Sequence, residues 1–366
     1  MKTETNKTDS NSTSHYIIHD KKALGLYMRT INILVMFAFF CLFFGCQKVQ
    51  NNSDEWAFRK SISEGLIPIK DNRGLWGYID TKGDVIISCQ WSDASCFSEG
   101  FAKVRDENGM CGYIDKNGEI ILPCSWKDSD VFSEDLAAVC DIDGKWGFID
   151  KTGTIVIPYQ WAMVNGFSED MALVIDEKGK IGFIDKTGKL IIPCKWNNAF
   201  SFSEGLAMVA DNNDKCGYIN KQGEIVIPCQ WGLAESFSDD LARIWGEHGY
   251  WGYIDKTGNV VIPYQWVICD SFHEGMAVVK NNGESWGFID KKGNYKIPCK
   301  WKHASGFSEG LAAVLDDNDK YGYINSNGDL VISCQYTSAS SFTEGVAEVK
   351  ENGAVFYIDK NGNKIK

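Results

Sequence analysis

Histidine is scarce in this chain, with five residues among 366, and two of them, His15 and His19, lie in the first twenty. The remaining His248, His273 and His303 pair with no recurring Ser, Cys or Asp, so no hydrolytic triad is spelled out. No Cys-x-x-Cys and no Cys/His cluster occurs, which leaves zinc without a ligand set. No phosphate-cradling glycine motif occurs either. Asp141-x-Asp143-Gly144 opens like a calcium loop, but the twelfth position is Thr152 instead of Glu. Positive charge is also short: 37 Lys and Arg stand against 49 Asp and Glu, a formal net charge of −12. Nucleic-acid recognition needs a basic footprint, so DNA and RNA are excluded as partners. No window carries a convincing helical period. The expectation is a non-catalytic protein with neither metal nor cofactor.

What the chain has instead is repetition. An aromatic or apolar residue precedes Gly at 76, 111, 146, 181, 216, 251, 286 and 321, a spacing of 35. Phe-Ser-Glu-Gly-Leu-Ala or a relative starts at Ile62, Phe97, Phe132, Phe167, Phe202, Phe237, Phe272, Phe307 and Phe342. Such a chain is read as an array of units, each burying its apolar face against the next. Nine units then run from Ile62 to Lys366.

One unit, Phe202 to Trp231, shows the grammar. Leu206-Ala207-Met208-Val209 is a short apolar strand, and Asp211-Asn212-Asn213-Asp214 is turn chemistry. Cys216-Gly217-Tyr218-Ile219 is a second strand, followed by the turn Asn220-Lys221-Gln222-Gly223. Ile225-Val226-Ile227 is a third, stopped by Pro228, which cannot donate to a ladder. Three β-rich runs bounded by turn residues make each unit hairpin material. The turn Gly occurs in all nine units, from Gly83 to Gly362, where a positive φ is needed. The Gly after Trp sits inside a strand, which predicts a bulge or a close neighbour.

Lys145-Trp146-Gly147-Phe148-Ile149-Asp150-Lys151-Thr152-Gly153, then Ile155-Val156-Ile157-Pro158 and Phe132-Ser133-Glu134-Asp135-Leu136-Ala137, resembles the WG-repeat family of bacterial β-repeats. Departures are Cys111, Ile181, Cys216 and Tyr321 in place of Trp, and a last unit, Val355-Phe356-Tyr357, that is one residue short and lacks the Gly. The resemblance implies a tandem β-repeat fold with a binding or scaffolding role and supplies no catalytic residue. A propeller blade needs four strands and roughly 40 residues or more, in rings of typically 4–8 blades. Units of 35 residues with about three strands therefore point to all-β hairpin repeats stacked as an open β-solenoid or curved array. A closed, propeller-like ring is the alternative. A longer period also shows: Cys111 recurs as Cys216 and Tyr159 as Tyr264, 105 residues on. Either a three-unit block was duplicated, or a superhelix stacks three units per turn.

Three rows of residues invite chemistry. Trp91, Trp126, Trp161, Trp196, Trp231, Trp266 and Trp301 are candidate interaction residues, because aromatic rows bind sugars or cations; core packing between units is the competing account. Cys89, Cys124, Cys194, Cys229, Cys299 and Cys334 share one position, which Tyr159 and Tyr264 interrupt. They read as small buried hydrophobes or as disulfides between adjacent units. An acidic row, Glu64, Glu99, Glu134, Glu169, Glu204, Asp239, Glu274, Glu309 and Glu344, would form a negative ridge unless the recurring Lys or backbone N–H groups relieve it, or would cap turns locally. Function is expected in residues that vary between copies, such as 211–215 and Glu247-His248.

Ahead of the array, residues 1–27 are a polar extension, and Met28 makes a better start than Met1. Residues 28–45 read as a signal peptide: Arg29, then an apolar run from Ile31 to Phe44, then Gly45. Leu42-Phe43-Phe44-Gly45-Cys46 resembles the bacterial lipoprotein box, with Phe43 where Leu is usual. That resemblance implies acylation at Cys46, with 46–61 as a tether and 62–366 as the array. An uncleaved signal anchor is the alternative. Either way the array is extracytoplasmic, in the cell envelope. Its partner is expected to be a protein or a cell-envelope polysaccharide, and a purely structural spacer is the third possibility.

Overall fold

The computed structural model describes residues 58–246, 249–280 and 285–365. Cys46, the signal segment, Glu247 and His248 lie outside the described residues. Each unit folds into a small antiparallel sheet whose strands pair in chain order. Blade 1 consists of Phe58–Arg59, Ile67–Lys70, Trp76–Ile79 and Val85–Trp91, referred to below as the inner, second, third and outer strands. The pattern recurs in blade 2 (93–126), blade 3 (128–161), blade 4 (163–196), blade 5 (198–231), blade 7 (268–301) and blade 8 (303–336). In blade 6 the inner strand shrinks to the bridge Ala234–Ile244, and in blade 9 the outer one shrinks to Ile358–Lys364.

The nine sheets close into a ring. The fold is a β-propeller, not the open solenoid that the three-strand count suggested. The carboxylate of each acidic-row residue reaches backbone N–H groups of the next blade. Glu64 accepts from Gly100 at 3.1 Å, Glu134 from Asp170 at 2.9 Å and Glu309 from Gly345 at 3.0 Å. Glu344 of blade 9 makes the same contact with Gly65 of blade 1 at 2.8 Å. Ile62, Ile67, Ile69 and Ile79 of blade 1 share a buried cluster with Val346 and Tyr357 of blade 9. The sequence reading missed the fourth strand because it is two residues long in most blades, as in Asp93–Ala94, too short for any alternation to show. Closure also removes the superhelix. Residues 105 apart lie three blades apart in one ring, which leaves block duplication as the account of the long period.

Aromatic pairs wedge neighbouring blades together. Tyr78 meets Phe97 at 5.0 Å, Phe148 meets Phe167 at 4.9 Å and Tyr323 meets Phe342 at 4.8 Å, all tilted. These rings are almost fully buried, and each contributes about 1.5–3 kcal/mol by leaving water. Where the first ring is Tyr, its hydroxyl also donates to a carbonyl of the next blade, as Tyr78 does to Ser95 at 2.8 Å.

Candidate interaction face

Residues shared by every copy are used up by the architecture. Gly147 shows why a side chain is forbidden after Trp: a Cβ there would lie 2.5 Å from the Ile157 carbonyl oxygen. The outer strand bulges over this position, since pairing shifts between Trp146–Trp161 and Phe148–Ile157. Blade 9, whose outer strand is reduced to one bridge among the described residues, carries Phe356 there. The second glycine closes the turn after Asp as expected, with Gly83 at φ 92°. Asp80 Oδ1 accepts from the Lys82 and Asp84 amides at 2.9 Å.

The acidic row is likewise structural. All nine side chains hang from backbone at φ 52–54°, a left-handed conformation that costs a non-glycine residue roughly 1–2 kcal/mol. Their reward is the inter-blade contact already described, reinforced by the recurring Lys. Lys116 lies 3.0 Å from Glu64, Lys186 3.1 Å from Glu134 and Lys360 2.9 Å from Glu309. Against the desolvation that burial imposes, the Lys116 ammonium and the Gly100 N–H hold the Glu64 carboxyl below its ordinary range. The same balance, with Lys360 and Gly345, lowers Glu309. Lys and backbone N–H groups thus act together, and the row joins blades instead of forming a bare ridge.

The seven row tryptophans pack between blades. Trp91, Trp196, Trp231 and Trp266 are buried, while Trp126, Trp161 and Trp301 are half-buried. Their indole N–H groups explain the alternation of Cys and Tyr. Trp126 and Trp231 donate to the hydroxyls of Tyr159 and Tyr264 in the next blade, at 3.0 and 3.1 Å. Trp91, Trp161, Trp196, Trp266 and Trp301 have no acceptor for theirs, and in each of those junctions the facing repeat position is Cys. Cys124, Cys194, Cys229 and Cys299 pack against the clusters of Trp91, Trp161, Trp196 and Trp266. No disulfide links the cysteines of the described residues. Burial raises the thiol pKa at Cys124, Cys194 and Cys229, and pushes Cys216 and Cys269 up to about 11. Raised in this way, the thiols are held in the protonated form near neutral pH.

The turns between the second and third strands, which vary between copies, share one face. In blade 2 the register sets Asp93 beside Arg105, Arg105 beside Cys111 and Cys111 beside Trp126. That end of every blade carries the turn between the second and third strands and the connector to the next blade. The variable segment 211–215 lies in such a turn. The acidic row and the Asp-Lys-x-Gly turns occupy the opposite face.

Blades 6 to 8 depart furthest from the repeat here. The second position after the row aromatic is Asp93, Asp128, Asn198, His303 or Ser338 in five blades, but Phe58 in blade 1, Met163 in blade 4, Leu233 in blade 6 and Ile268 in blade 7. The last two are 37% and 41% exposed, and Val267 beside Ile268 is 46% exposed. Half-buried Trp245 donates its backbone N–H to Leu233 at 3.0 Å, and its ring meets Trp251 edge-on at 5.0 Å. The aromatic line continues from Trp286 to His303 at 5.2 Å and from His303 to Tyr321 at 6.3 Å. Arg243 lies 4.9 Å from the Trp251 ring and Lys280 5.9 Å from Trp286. Trp245, Leu233, Val267 and Ile268 were not singled out from the sequence. The signal was present as large apolar residues at repeat positions that are polar in about half of the copies. Among the described residues, no group of His, Cys, Asp and Glu is placed to hold a metal ion.

Ring, blade order and a variable face define the chain as a β-propeller built from short, closely similar blades. The model for the WG containing repeat matches residues 76–110, 112–146, 146–180, 181–216, 217–244, 251–284, 286–321 and 321–353. The chain belongs to that repeat family. No curated relative matches the sequence. Among solved structures, the computationally designed Ika8 protein is similar over 73% of this chain and 95% of its own, with 12% identity and a TM-score of 0.43. BamB from Moraxella catarrhalis is similar over 72% and 95%, with 11% identity and a TM-score of 0.40. Likenesses this distant add nothing on function.

Proposed function

We propose that this protein is a non-catalytic scaffold that binds protein partners on its variable face, held in the bacterial envelope by a lipid at Cys46. The observation that carries the binding role is the division of labour between the faces. Repeated residues on one face are committed to joining blades, while the other carries turns and connectors that differ between copies and join none. A surface freed from architectural duty, with apolar and aromatic side chains showing, is the usual form of a protein-interaction site. Packing of the tryptophan row between blades, with four of the seven rings buried, supports a protein partner over a polysaccharide, which would need open rings to stack on.

The binding role is tested by pull-down from envelope extract with the full chain and a Leu233→Asn/Ile268→Asp variant. A partner retained by the wild type and lost by the variant supports it. Identical captures from both would remove the variable face of blades 6 and 7 from the function. For the anchor, metabolic labelling with a fatty-acid analogue is expected to mark the wild type and spare Cys46→Ala. Equal labelling would reject acylation at Cys46.

A further inference from the structure

We infer that Asn352, at the tip of blade 9, is a site of self-modification, converted to aspartate or isoaspartate by attack of the Gly353 amide nitrogen. Gly after Asn suits this chemistry because it brings no side chain to hinder the approach. The Gly353 nitrogen loses its proton to hydroxide and bonds to Asn352 Cγ. The Cγ–Nδ2 bond breaks, and the nitrogen takes a proton from water and leaves as ammonia. Water then opens the cyclic imide at either carbonyl, giving the aspartyl or the isoaspartyl chain. The attacking N–H must be free, since one that donates to a carbonyl has to break that bond first.

Six Asn-Gly pairs lie among the described residues, and the backbone sorts them. Gly109, Gly118, Gly328 and Gly362 donate their N–H groups to the carbonyl three residues back, at 3.2, 3.0, 2.9 and 2.9 Å. Asn165-Gly166 has no such bond, but both residues are half-buried, and a Cβ on Gly166 would lie 3.5 Å from Ser133. Gly353 donates to no acceptor among the described residues, and both it and Asn352 are exposed.

The cause is one missing residue. Blade 2 turns on Asp106-Glu107-Asn108-Gly109, and its Gly closes on the Asp carbonyl. Blade 9 has only Glu351-Asn352-Gly353 in that place, so its strands meet directly at Glu351–Ala354. With Asn352 at φ 51° and Gly353 at φ 87°, the loop is a two-residue type I′ turn, whose second N–H points to solvent. Beyond its third strand, blade 9 carries the bridge Ile358–Lys364 at the end away from this turn. The turn belongs to the variable face. Conversion therefore places a new carboxylate there, and the isoaspartyl form adds a backbone atom to a turn with none to spare.

The test holds the full-length chain in mildly alkaline buffer, natively and in urea. Acidic digestion and mass spectrometry over time read the amide-to-acid mass gain at each Asn. In the native protein Asn352 should convert at least about tenfold faster than Asn108, Asn117, Asn327 and Asn361, the order of magnitude of one hydrogen bond. It should also outpace Asn165, and in urea the six rates should converge. Inserting Asp between Lys350 and Glu351 gives blade 9 the Asp-Glu-Asn-Gly turn of blade 2, so the ring should fold, as a circular-dichroism melt would verify. Asn352 should then slow to the rate of Asn108. Equal native rates at the six sites, or any of the other five overtaking Asn352, overturn the inference. A folded insertion variant that converts at the wild-type rate overturns the turn as its cause. Should the insertion unfold the ring, the comparison of native protein with urea decides by itself.

Discussion

Tyr159 and Cys194 occupy the same repeat position and leave their facing tryptophans in different states. Trp126 has an acceptor in the Tyr159 hydroxyl, while Trp161 has none opposite Cys194. Tyr159→Phe should therefore cost about 0.5–1.5 kcal/mol, because it removes the hydroxyl that accepts from half-buried Trp126. Cys194→Tyr should gain about 0.5–1.5 kcal/mol by supplying the missing acceptor. Urea titrations of the two variants against wild type check both signs. A Cys194→Tyr variant less stable than wild type would mean that the junction cannot admit the ring.

Within the blade, the two glycines should respond differently to the same change. Gly147→Ala forces a methyl to 2.5 Å from the Ile157 carbonyl oxygen, backbone that cannot step aside without undoing the bulge. Overpacking of this kind costs about 1–3 kcal/mol or more. At Gly83 a Cβ meets nothing within 4 Å, and the cost is only the left-handed backbone at φ 92°, roughly 1–2 kcal/mol. Melting temperatures should fall further for Gly147→Ala. The reverse order would indicate that the bulge relaxes freely.

Closure of the ring makes two predictions for the whole molecule. The contacts that join blades depend on ionised carboxylates, and those of Glu64 and Glu309 titrate below their ordinary range in the folded protein. A depressed folded pKa stabilises fully above the unfolded value of about 4.3 and is lost as pH falls through the lower folded value. Thermal stability should drop below pH 4, and Glu64→Gln/Glu309→Gln should flatten that drop. A variant with the wild-type acid profile would place the sensitivity elsewhere. The second prediction concerns the seam between blades 9 and 1. Blades 1 and 8 carry Thr81 and Ser326 where the other seven place the Lys of Asp-Lys-x-Gly, so Glu344, at the seam, receives no ammonium from that turn. Glu344→Ala removes the carboxylate from Gly65 N–H, a charged hydrogen bond worth about 1.5–3 kcal/mol. Hydrogen exchange should then rise first in residues 62–70, before the equivalent segment of blade 5. Uniform acceleration around the ring would show that the blades open together.

The period of 35, the all-β class, both glycine roles and the turn carboxylates were legible in the sequence, because each is a local requirement of backbone geometry. Trp-Gly must be followed by a bulge, and Asp-Lys-x-Gly must close a turn, wherever the chain places them. The pairing of Glu with Lys and backbone N–H was legible as a need, though not as a link between blades. Ring closure stood in the sequence only as the alternative to an open array: it depends on two-residue inner strands and on the wedge angle set by buried pairs such as Tyr78–Phe97, and neither has a periodic signature. The interaction face was hidden for a related reason. Leu233, Val267 and Ile268 are ordinary apolar residues along the chain, and only the fold, which leaves them exposed on the face opposite the acidic row, makes them a surface. Local geometry was therefore written in the sequence, whereas the sum of small rotations between blades, and what that sum leaves exposed, was decided by tertiary packing.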